Sequence, residues 1–195
     1  MSKQTKKNNF ETQIKKTFDE SYKIIKKSKN LTLKIDKSVN MILEALRAGG
    51  KIVIFGNGGS AADAQHMSAE FIGRYILERK SIPSLALTTD SSILTSIGND
   101  YKFENIFSRQ CEALVNQNDI IIAISTSGNS PNIIKGIKTC VKKDAKIIAL
   151  TGNDGGKLKN LCDILLNIPS KETPRIQEGH RTVIHIICEL VEKEI

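Results

Sequence analysis

Apolar side chains recur at helical spacing near the start of the chain, before any segment that resembles a strand. They lie three or four positions apart and predict an amphipathic helix over residues 10–27: Phe10, Ile14, Phe18, Tyr22 and Ile25. A second helix is predicted over residues 35–47, because Gly49 and Gly50 follow it as a stop signal. The chain therefore opens with two helices.

From residue 51 the pattern changes to short, almost continuously apolar runs separated by amphipathic segments. The apolar runs predict strands over residues 51–55, 84–89, 119–125, 146–151 and 163–168. The other segments predict helices over residues 60–77, 91–97, 104–115, 131–142 and 176–194. Such strands, joined by helices, are typical of a parallel sheet covered on both faces. We therefore expect an α/β fold: a three-layer αβα parallel sheet of about five strands, with two N-terminal helices and a long C-terminal helix.

This pattern also sets the organisation of the chain. Residues 1–50 form an N-terminal helical extension, to which we assign oligomerisation. Residues 51–195 form the sheet domain, in one structural unit with the extension. In parallel sheets ligands bind beyond the carboxyl ends of the strands, so the turns that follow the strands are where we look for a site.

Composition narrows the class of protein. The 195 residues are 39% hydrophobic, which suits one globular domain with its own core. No apolar run approaches the roughly 20 residues of a membrane span, and the N-terminus lacks the apolar region of a signal peptide. We expect a cytoplasmic protein without membrane contact, whose four cysteines are buried free thiols.

The formal charge of +8 is concentrated at one end of the chain. Residues 1–37 hold 11 lysines against four acidic residues, a net charge of +7, which leaves +1 for the rest. A solvated, lysine-rich helical face explains this distribution better than a basic groove. No basic patch interleaved with aromatic residues is present, so we expect no nucleic-acid partner.

Two turns have the composition of anion sites. Residues 56–61 are glycine-rich and lead from a strand into a helix, whose N-terminus offers free N–H donors. This turn fits a dinucleotide-binding pattern only weakly, and a tight turn without a ligand is an alternative. Residues 125–130, which we call the serine-rich loop, carry four hydroxyls. Gly128 permits a bend there, and Pro131 suits the start of the next helix. One hydroxyl suffices for a helix cap, so four favour a phosphate site.

The residues that could carry chemistry are on two helices. His66 and Glu70 share one face of the helix after the glycine-rich turn, and we expect the serine-rich loop to hold a phosphate beside them. Gln177, Arg181 and His185 share a face of the last helix. Histidine, glutamate and glutamine together have the chemistry of ligands for a first-row metal.

One geometric obstacle remains for a metal. Positions 177 and 185 of one straight helix are about 12 Å apart along its axis, too far for a single ion. Either Gln177 lies before the helix proper, or the two ligands come from different subunits.

Taken together, these motifs resemble phosphoheptose isomerases, a family with the SIS (sugar isomerase) fold. The resemblance runs over nearly the whole chain in the same order. The motifs that carry it are Gly56–Ser60, His66 with Glu70 and Gly73-Arg74-Tyr75, Gly98-Asn99-Asp100, Ser125–Ser130, and Arg175–Glu178 with His185.

The resemblance implies conversion of sedoheptulose 7-phosphate to D-glycero-D-manno-heptose 7-phosphate, the first step toward ADP-heptose for lipopolysaccharide core or related surface glycans. It also implies a homotetramer with active sites at subunit interfaces. One zinc ion per subunit would be held by His66, Glu70, Gln177 and His185. Substrate contacts would come from Asn57, Gly58, Gly59, Glu70, Asn99, Asp100, Ser125, Thr126, Ser127, Ser130 and Gln177.

Isomerisation through a cis-enediol needs a base at carbon and an acid at oxygen. We assign these catalytic roles to Glu70 and His185 respectively. One alternative is a non-catalytic SIS module that binds phosphosugars to regulate, or that associates with the replication initiator protein. Such a module would not need both side chains. A dehydrogenase is a second alternative, but it leaves the serine-rich loop without a role.

Overall fold

A computed structural model describes residues 10–195 of the chain. The helices are α1 (Glu11–Ser28), α2 (Thr32–Arg47), α3 (Gly59–Ile72), α4 (Ser91–Asp100), α5 (Ile106–Leu114), α6 (Pro131–Val141) and α7 (Thr173–Lys193). The strands are β1 (Ile52–Gly56), β2 (Ser84–Ala86), β3 (Ile120–Ser125), β4 (Lys146–Thr151) and β5 (Ile164–Asn167). Short 3₁₀ turns cover Lys29–Leu31, Phe103–Asn105 and Gly156–Asn160.

The five strands form one parallel sheet in the order β2-β1-β3-β4-β5. At its centre Ile122 of β3 pairs with Ile54 of β1 on one side and with Ile148 of β4 on the other. Every residue of β3 is buried, as expected for a central strand with helices on both faces. The predicted α/β fold is confirmed.

Alternation along the strands divides the core into two layers. Ile120, Ile122 and Ile124 pack with apolar residues of α2, α3 and α7 on one face. Ile121 and Ala123 point the other way and pack with residues of α5 and α6. Helix α2 contributes four buried apolar side chains to the first layer, and Leu31 just before it adds a fifth: the four are Ile35, Val39, Ile42 and Leu43. It is therefore part of the core.

Several predicted boundaries were wrong. The third helix ends at Ile72 rather than Leu77, because Gly73 leaves the helical conformation. Strand β2 has only three residues, since it lies at the sheet edge and pairs with β1 alone. The last helix begins at Thr173, three residues before the predicted start, because Pro174 is favourable in a first turn.

The direction of α3 determines what the sheet can bring together. The helix starts beyond the carboxyl end of β1, where Gly58 precedes it. At its other end the carbonyl of Phe71 accepts a hydrogen bond from Ile82, just before β2 begins. Helix α3 therefore runs from the carboxyl edge of the sheet to the amino edge. Of the helices in residues 10–195, none is long and apolar enough to cross a membrane.

Candidate active site

The glycine-rich turn after β1 is tightly constrained. Gly58 has φ +55°, a left-handed conformation that glycine adopts without strain. At Gly59 a Cβ atom would collide with the side-chain amide of Gln177, so the first turn of α3 lies directly against α7. Asn57, Gly58 and Gly59 therefore lie at the carboxyl edge, and Gln177 lies with them.

The serine-rich loop closes the carboxyl end of β3. The hydroxyls of Ser125 and Ser130 are 3.2 Å apart, Ser125 is buried, and Ser127 is exposed. Gly128 has φ +64°, and a Cβ there would collide with the carbonyl of Gly155. The carbonyl of Thr126 also accepts the N–H of Gly152. The turn after β4, which contains Gly152 and Gly155, thus packs directly against the serine-rich loop.

A pair of asparagines joins the two turns. The side-chain amides of Asn57 and Asn132 exchange two hydrogen bonds of 2.9 Å, and Asn132 is 2% exposed. The Asn132 side chain also accepts the N–H of Ile133. Sequence reasoning did not identify Asn132, although a polar residue directly after Pro131 in a helix start is a usable signal.

Three side chains with catalytic potential meet farther along α3 and α7. The Nε2 atoms of His66 and His185 are 2.8 Å apart, and Nε2 of His66 is 3.4 Å from a carboxylate oxygen of Glu70. All three side chains are partly exposed. Burial, followed by the neighbouring His66 and Arg181, lowers the pKa of His185. The lowered pKa favours the neutral form of that imidazole.

Between these contacts lies an ion pair that the sequence did not reveal. Nε and Nη2 of Arg181 donate to one carboxylate oxygen of Asp63 at 2.9 and 2.6 Å. The Asp63 side chain is only 4% exposed, whereas that of Arg181 is 43% exposed. The pair lines a cavity of about 450 Å³ together with Gly59 and Gln177. It links α3 to α7 halfway between Gln177 and His185.

The remaining predicted contact residues lie apart from these groups. Asn99 and Asp100 are the last residues of α4, both are exposed, and the amide of Asn99 donates to Asp100 at 2.9 Å. Among the described residues, no hydrogen bond connects either of them to the serine-rich loop. Gln177 lies inside α7, so the idea that it precedes the helix was wrong.

The length of α3 separates the serine-rich loop from the glutamate of the His/Glu cluster, the group formed by His66, Glu70 and His185. Glu70 lies eleven residues beyond Gly59, which is about 16 Å along a helix axis. Because α3 runs toward the amino edge, this length separates Glu70 from the carboxyl edge where Ser125 and Ser130 lie. Within one subunit, α3 therefore keeps Glu70 away from the serine-rich loop, in keeping with the site at a subunit interface that the resemblance implies.

The His/Glu cluster suits a zinc ion in chemistry and only approximately in spacing. Zinc takes imidazole nitrogen and carboxylate oxygen ligands, and two tetrahedral nitrogen ligands would be about 3.3 Å apart. The two Nε2 atoms of His66 and His185 lie closer, at hydrogen-bonding distance. Across residues 10–195, no group of three or more His, Cys, Asp and Glu side chains already has the arrangement of a metal site. Widening the gap between the two Nε2 atoms by about 0.5 Å would bring them to that ligand spacing.

Comparisons with known proteins agree on the family of this chain. A family model described as the SIS domain matches residues 18–152. The phosphoheptose isomerase of Geobacter sp. (strain M21) is 53% identical over 161 residues, which are 83% of this chain and 84% of the relative. The chain belongs to the phosphoheptose isomerase family.

Solved structures of this family share the whole fold. The phosphoheptose isomerase from Neisseria gonorrhoeae is 41% identical and aligns with a TM-score of 0.90, covering 95% of this chain and 100% of that one. The phosphoheptose isomerase from Francisella tularensis is 34% identical, with a TM-score of 0.92 and the same coverage. The chain is accordingly an enzyme, an isomerase that interconverts aldose and ketose sugar phosphates. The expected enzyme class is confirmed.

Proposed function

We propose that the protein converts sedoheptulose 7-phosphate to D-glycero-D-manno-heptose 7-phosphate through a cis-enediol. This reaction would be the first step toward ADP-heptose for lipopolysaccharide core or related surface glycans. The observation that carries the proposal is the meeting of His66, Glu70 and His185 on two helices whose other ends meet at Gly59 and Gln177. A module that only bound phosphosugars would not need this cluster.

The cluster supports a division of labour in proton transfer. Glu70 would act as the base that removes a proton at C1. His185 would polarise the carbonyl oxygen with a neutral imidazole N–H, because its lowered pKa disfavours the imidazolium near pH 7. A neutral imidazole can serve as such an electrophile in an enediol mechanism.

The serine-rich loop would hold the phosphate. The hydroxyls of Ser125, Thr126, Ser127 and Ser130 surround the start of α6, where helical N–H groups favour an anion. Asn57, Gly58 and Gly59 would contribute from the neighbouring turn, which the Asn57–Asn132 pair aligns with the loop. Phosphate binding at a distance from the reacting carbons supplies energy that orients them.

Substrate length supports an active site built from two chains. In an extended heptose 7-phosphate, C1 lies about 10 Å from the phosphorus, across six C–C bonds of about 1.5 Å, one C–O bond and one O–P bond. This is shorter than the stretch of α3 between Gly59 and Glu70, about 16 Å long. We therefore propose that the serine-rich loop of one subunit faces the His/Glu cluster of another, within the homotetramer that the resemblance implies. Asn99, Asp100 and Gln177 would complete such a site.

An apolar face of α1 supports the assembly. Four large side chains of this helix and the residue before it remain at least half exposed: Phe10 at 64%, Ile14 at 53%, Phe18 at 73% and Tyr22 at 67%. Phe10, Ile14 and Phe18 border a cavity of about 490 Å³ against the start of α7. A continuous exposed apolar face is typical of an interface. We propose that the N-terminal extension buries this face against other subunits.

We also propose one zinc ion per subunit. His66, Glu70 and His185 would hold it, and Gln177 could join them only from a second copy of the chain. When bound, zinc would polarise the substrate oxygens at C1 and C2. We further propose a cytoplasmic location, where thiols stay reduced, because no disulfide joins the four cysteines, which all lie within the described residues.

The decisive experiment mixes purified protein with sedoheptulose 7-phosphate in deuterated water and follows the products by NMR. We expect the aldose phosphate to appear, with solvent deuterium incorporated at C2, the carbon that gains a proton when the aldose forms. Sedoheptulose without phosphate serves as the control and should react far more slowly, because the serine-rich loop then has no anion to hold. No aldose from the phosphorylated sugar would refute the proposal.

A further inference from the structure

The segment that follows α3, residues 73–79, has no regular structure, yet one buried carboxylate fixes it. One carboxylate oxygen of Glu192 accepts the N–H of Tyr75 at 2.8 Å. The other accepts the N–H groups of Ile76 and Leu77 at 2.7 and 2.9 Å. The Glu192 side chain is 1% exposed. Three consecutive amides thus surround a charge from the far end of α7.

Arg79 connects the Glu192 carboxylate to the end of α3. Its Nη2 donates to the carbonyl of Glu70 at 2.8 Å, and its Nη1 donates to the carbonyl of Phe71 at 2.9 Å. These are carbonyls at the end of α3, which lack partners within the helix. The guanidinium also lies 3.2 Å from Glu192. Glu192 and Arg79 therefore connect both residues 73–79 and the end of α3 to α7.

The consequence reaches the reacting groups through Tyr75. The Tyr75 ring lies 5.6 Å from the His185 ring, centroid to centroid, and the His66 ring lies 5.1 Å from the His185 ring on another side. The backbone amide of Tyr75 is one of the three that Glu192 holds. His185 is thus bordered by a ring whose place depends on a carboxylate seven residues further along the same helix.

A buried carboxylate is costly unless it is fully compensated. Here compensation comes entirely from the segment beside the His/Glu cluster and from Arg79. We propose that Glu192 is a positioning residue for the isomerisation: it holds Tyr75 against His185 and, with Arg79, fixes the end of α3 at Glu70. This inference rests on the proposed function, because it concerns the same reaction.

The first test is Glu192→Gln, which keeps the shape and removes the charge. We expect kcat for sedoheptulose 7-phosphate to fall about tenfold or more, since small displacements of reacting groups cost that much. KM should stay within about twofold, because the serine-rich loop lies at the other edge of the sheet. Trypsin should also cut after Arg74 faster than in the wild type. Glu189→Gln is the matched control, since Glu189 lies one turn earlier and pairs with Lys193 at the surface.

The second test removes the ring through which Glu192 acts. Tyr75→Leu should lower kcat with KM unchanged, and the double variant should lose little beyond the larger single loss, because both changes break one connection. Losses that multiply, or a wild-type kcat in Glu192→Gln, would overturn the proposal. If Glu192→Gln does not fold, a wild-type kcat in Tyr75→Leu overturns it. An inactive wild type would instead refute the proposed function.

Discussion

The Nε2 atoms of His66 and His185 lie 2.8 Å apart, although 119 positions separate the two residues along the chain. They meet because α3 and α7 run side by side in the same direction, with Gly59 against Gln177 at one end. The Asp63–Arg181 ion pair lies between the two contacts. Residues spaced along α3 thus pair one after another with residues spaced along α7, and these pairs form a row across the interface of the two helices.

Glu70 is the carboxylate in this row, and its replacement tests the proposed base. Glu70→Gln should reduce kcat by about 10³-fold or more, because general base catalysis contributes on that scale. Substrate affinity, measured by isothermal titration calorimetry, should change little, since an amide preserves size and polarity. Glu78→Gln is the control, because Glu78 is an exposed carboxylate 3.6 Å from Arg74. Turnover near the wild-type value in Glu70→Gln would exclude the assignment.

The two histidines make the zinc proposal testable without an activity assay. Chelator-treated protein should bind Zn²⁺, and His66→Gln or His185→Gln should weaken that affinity at least about tenfold, because each removes an imidazole ligand. Calorimetric titration with Zn²⁺ measures this directly. Gln177→Ala tests whether Gln177 is also a ligand. Because Gln177 is distant from His185 within one chain, a weaker affinity in this variant would mean that a second copy supplies it. An affinity that neither histidine variant alters would contradict zinc binding at this cluster.

Much of the fold follows from local pattern. The isoleucine-rich runs at residues 120–124 and 146–150 predicted buried parallel strands, and the structure pairs them as such. The His66–Glu70 spacing predicted a shared helix face, and the two side chains do approach each other. These features depend only on periodicity within one segment, which the sequence displays directly.

The parts that escaped prediction depend on partners far along the chain. Residues 73–77 continue the composition of a helix, but Glu192, more than a hundred residues away, provides their amides with a better acceptor. Asn132 and Arg181 acquire roles only through Asn57 and Asp63 on another helix or turn. The distance between the serine-rich loop and Glu70 likewise became apparent only once the direction of α3 was known.

Gly128 offers a test of the serine-rich loop. Gly128→Ala should lower the free energy of unfolding by about 1–3 kcal/mol, because its φ of +64° disfavours a side chain and Gly155 leaves no room. KM should rise as the phosphate site distorts. The control is Gly98→Ala, since a Cβ there meets open space in α4 and should stabilise the protein by about 0.5–1 kcal/mol. Equal stability of the two variants in urea would contradict this account.

The exposed face of α1 predicts how assembly can be broken. Phe18→Glu places a charge on that face and should shift the protein from a tetramer to smaller species at micromolar concentration, as measured by light scattering after gel filtration. Activity should fall with the tetramer fraction, because the proposed sites need two chains. Lys27→Glu changes charge on the opposite side of the helix and should leave the tetramer intact. A fully active monomer would rule out shared sites.

The charge of Glu192 predicts a specific dependence of stability on pH. Burial alone would raise the pKa of this carboxyl, but the amides of Leu77, Ile76 and Tyr75, with Arg79, outweigh it and lower the pKa. A group whose pKa is lower in the folded protein binds fewer protons there than in the unfolded chain. Its stabilising contribution is therefore complete above the unfolded pKa, about 4.3, and is lost as the pH falls through the folded value.

Urea unfolding of the wild type and of Glu192→Gln, at several pH values between 7 and 3, measures this contribution. At pH 7 the variant should be less stable by about 2 kcal/mol or more, since a buried carboxylate with three donors is lost. The difference should narrow as the pH falls below about 4. Glu189→Gln, at the exposed position one turn away, should track the wild type throughout. A difference that stays constant down to pH 3 would mean that the Glu192 carboxyl has the same pKa in the folded and unfolded chains, and would contradict this account.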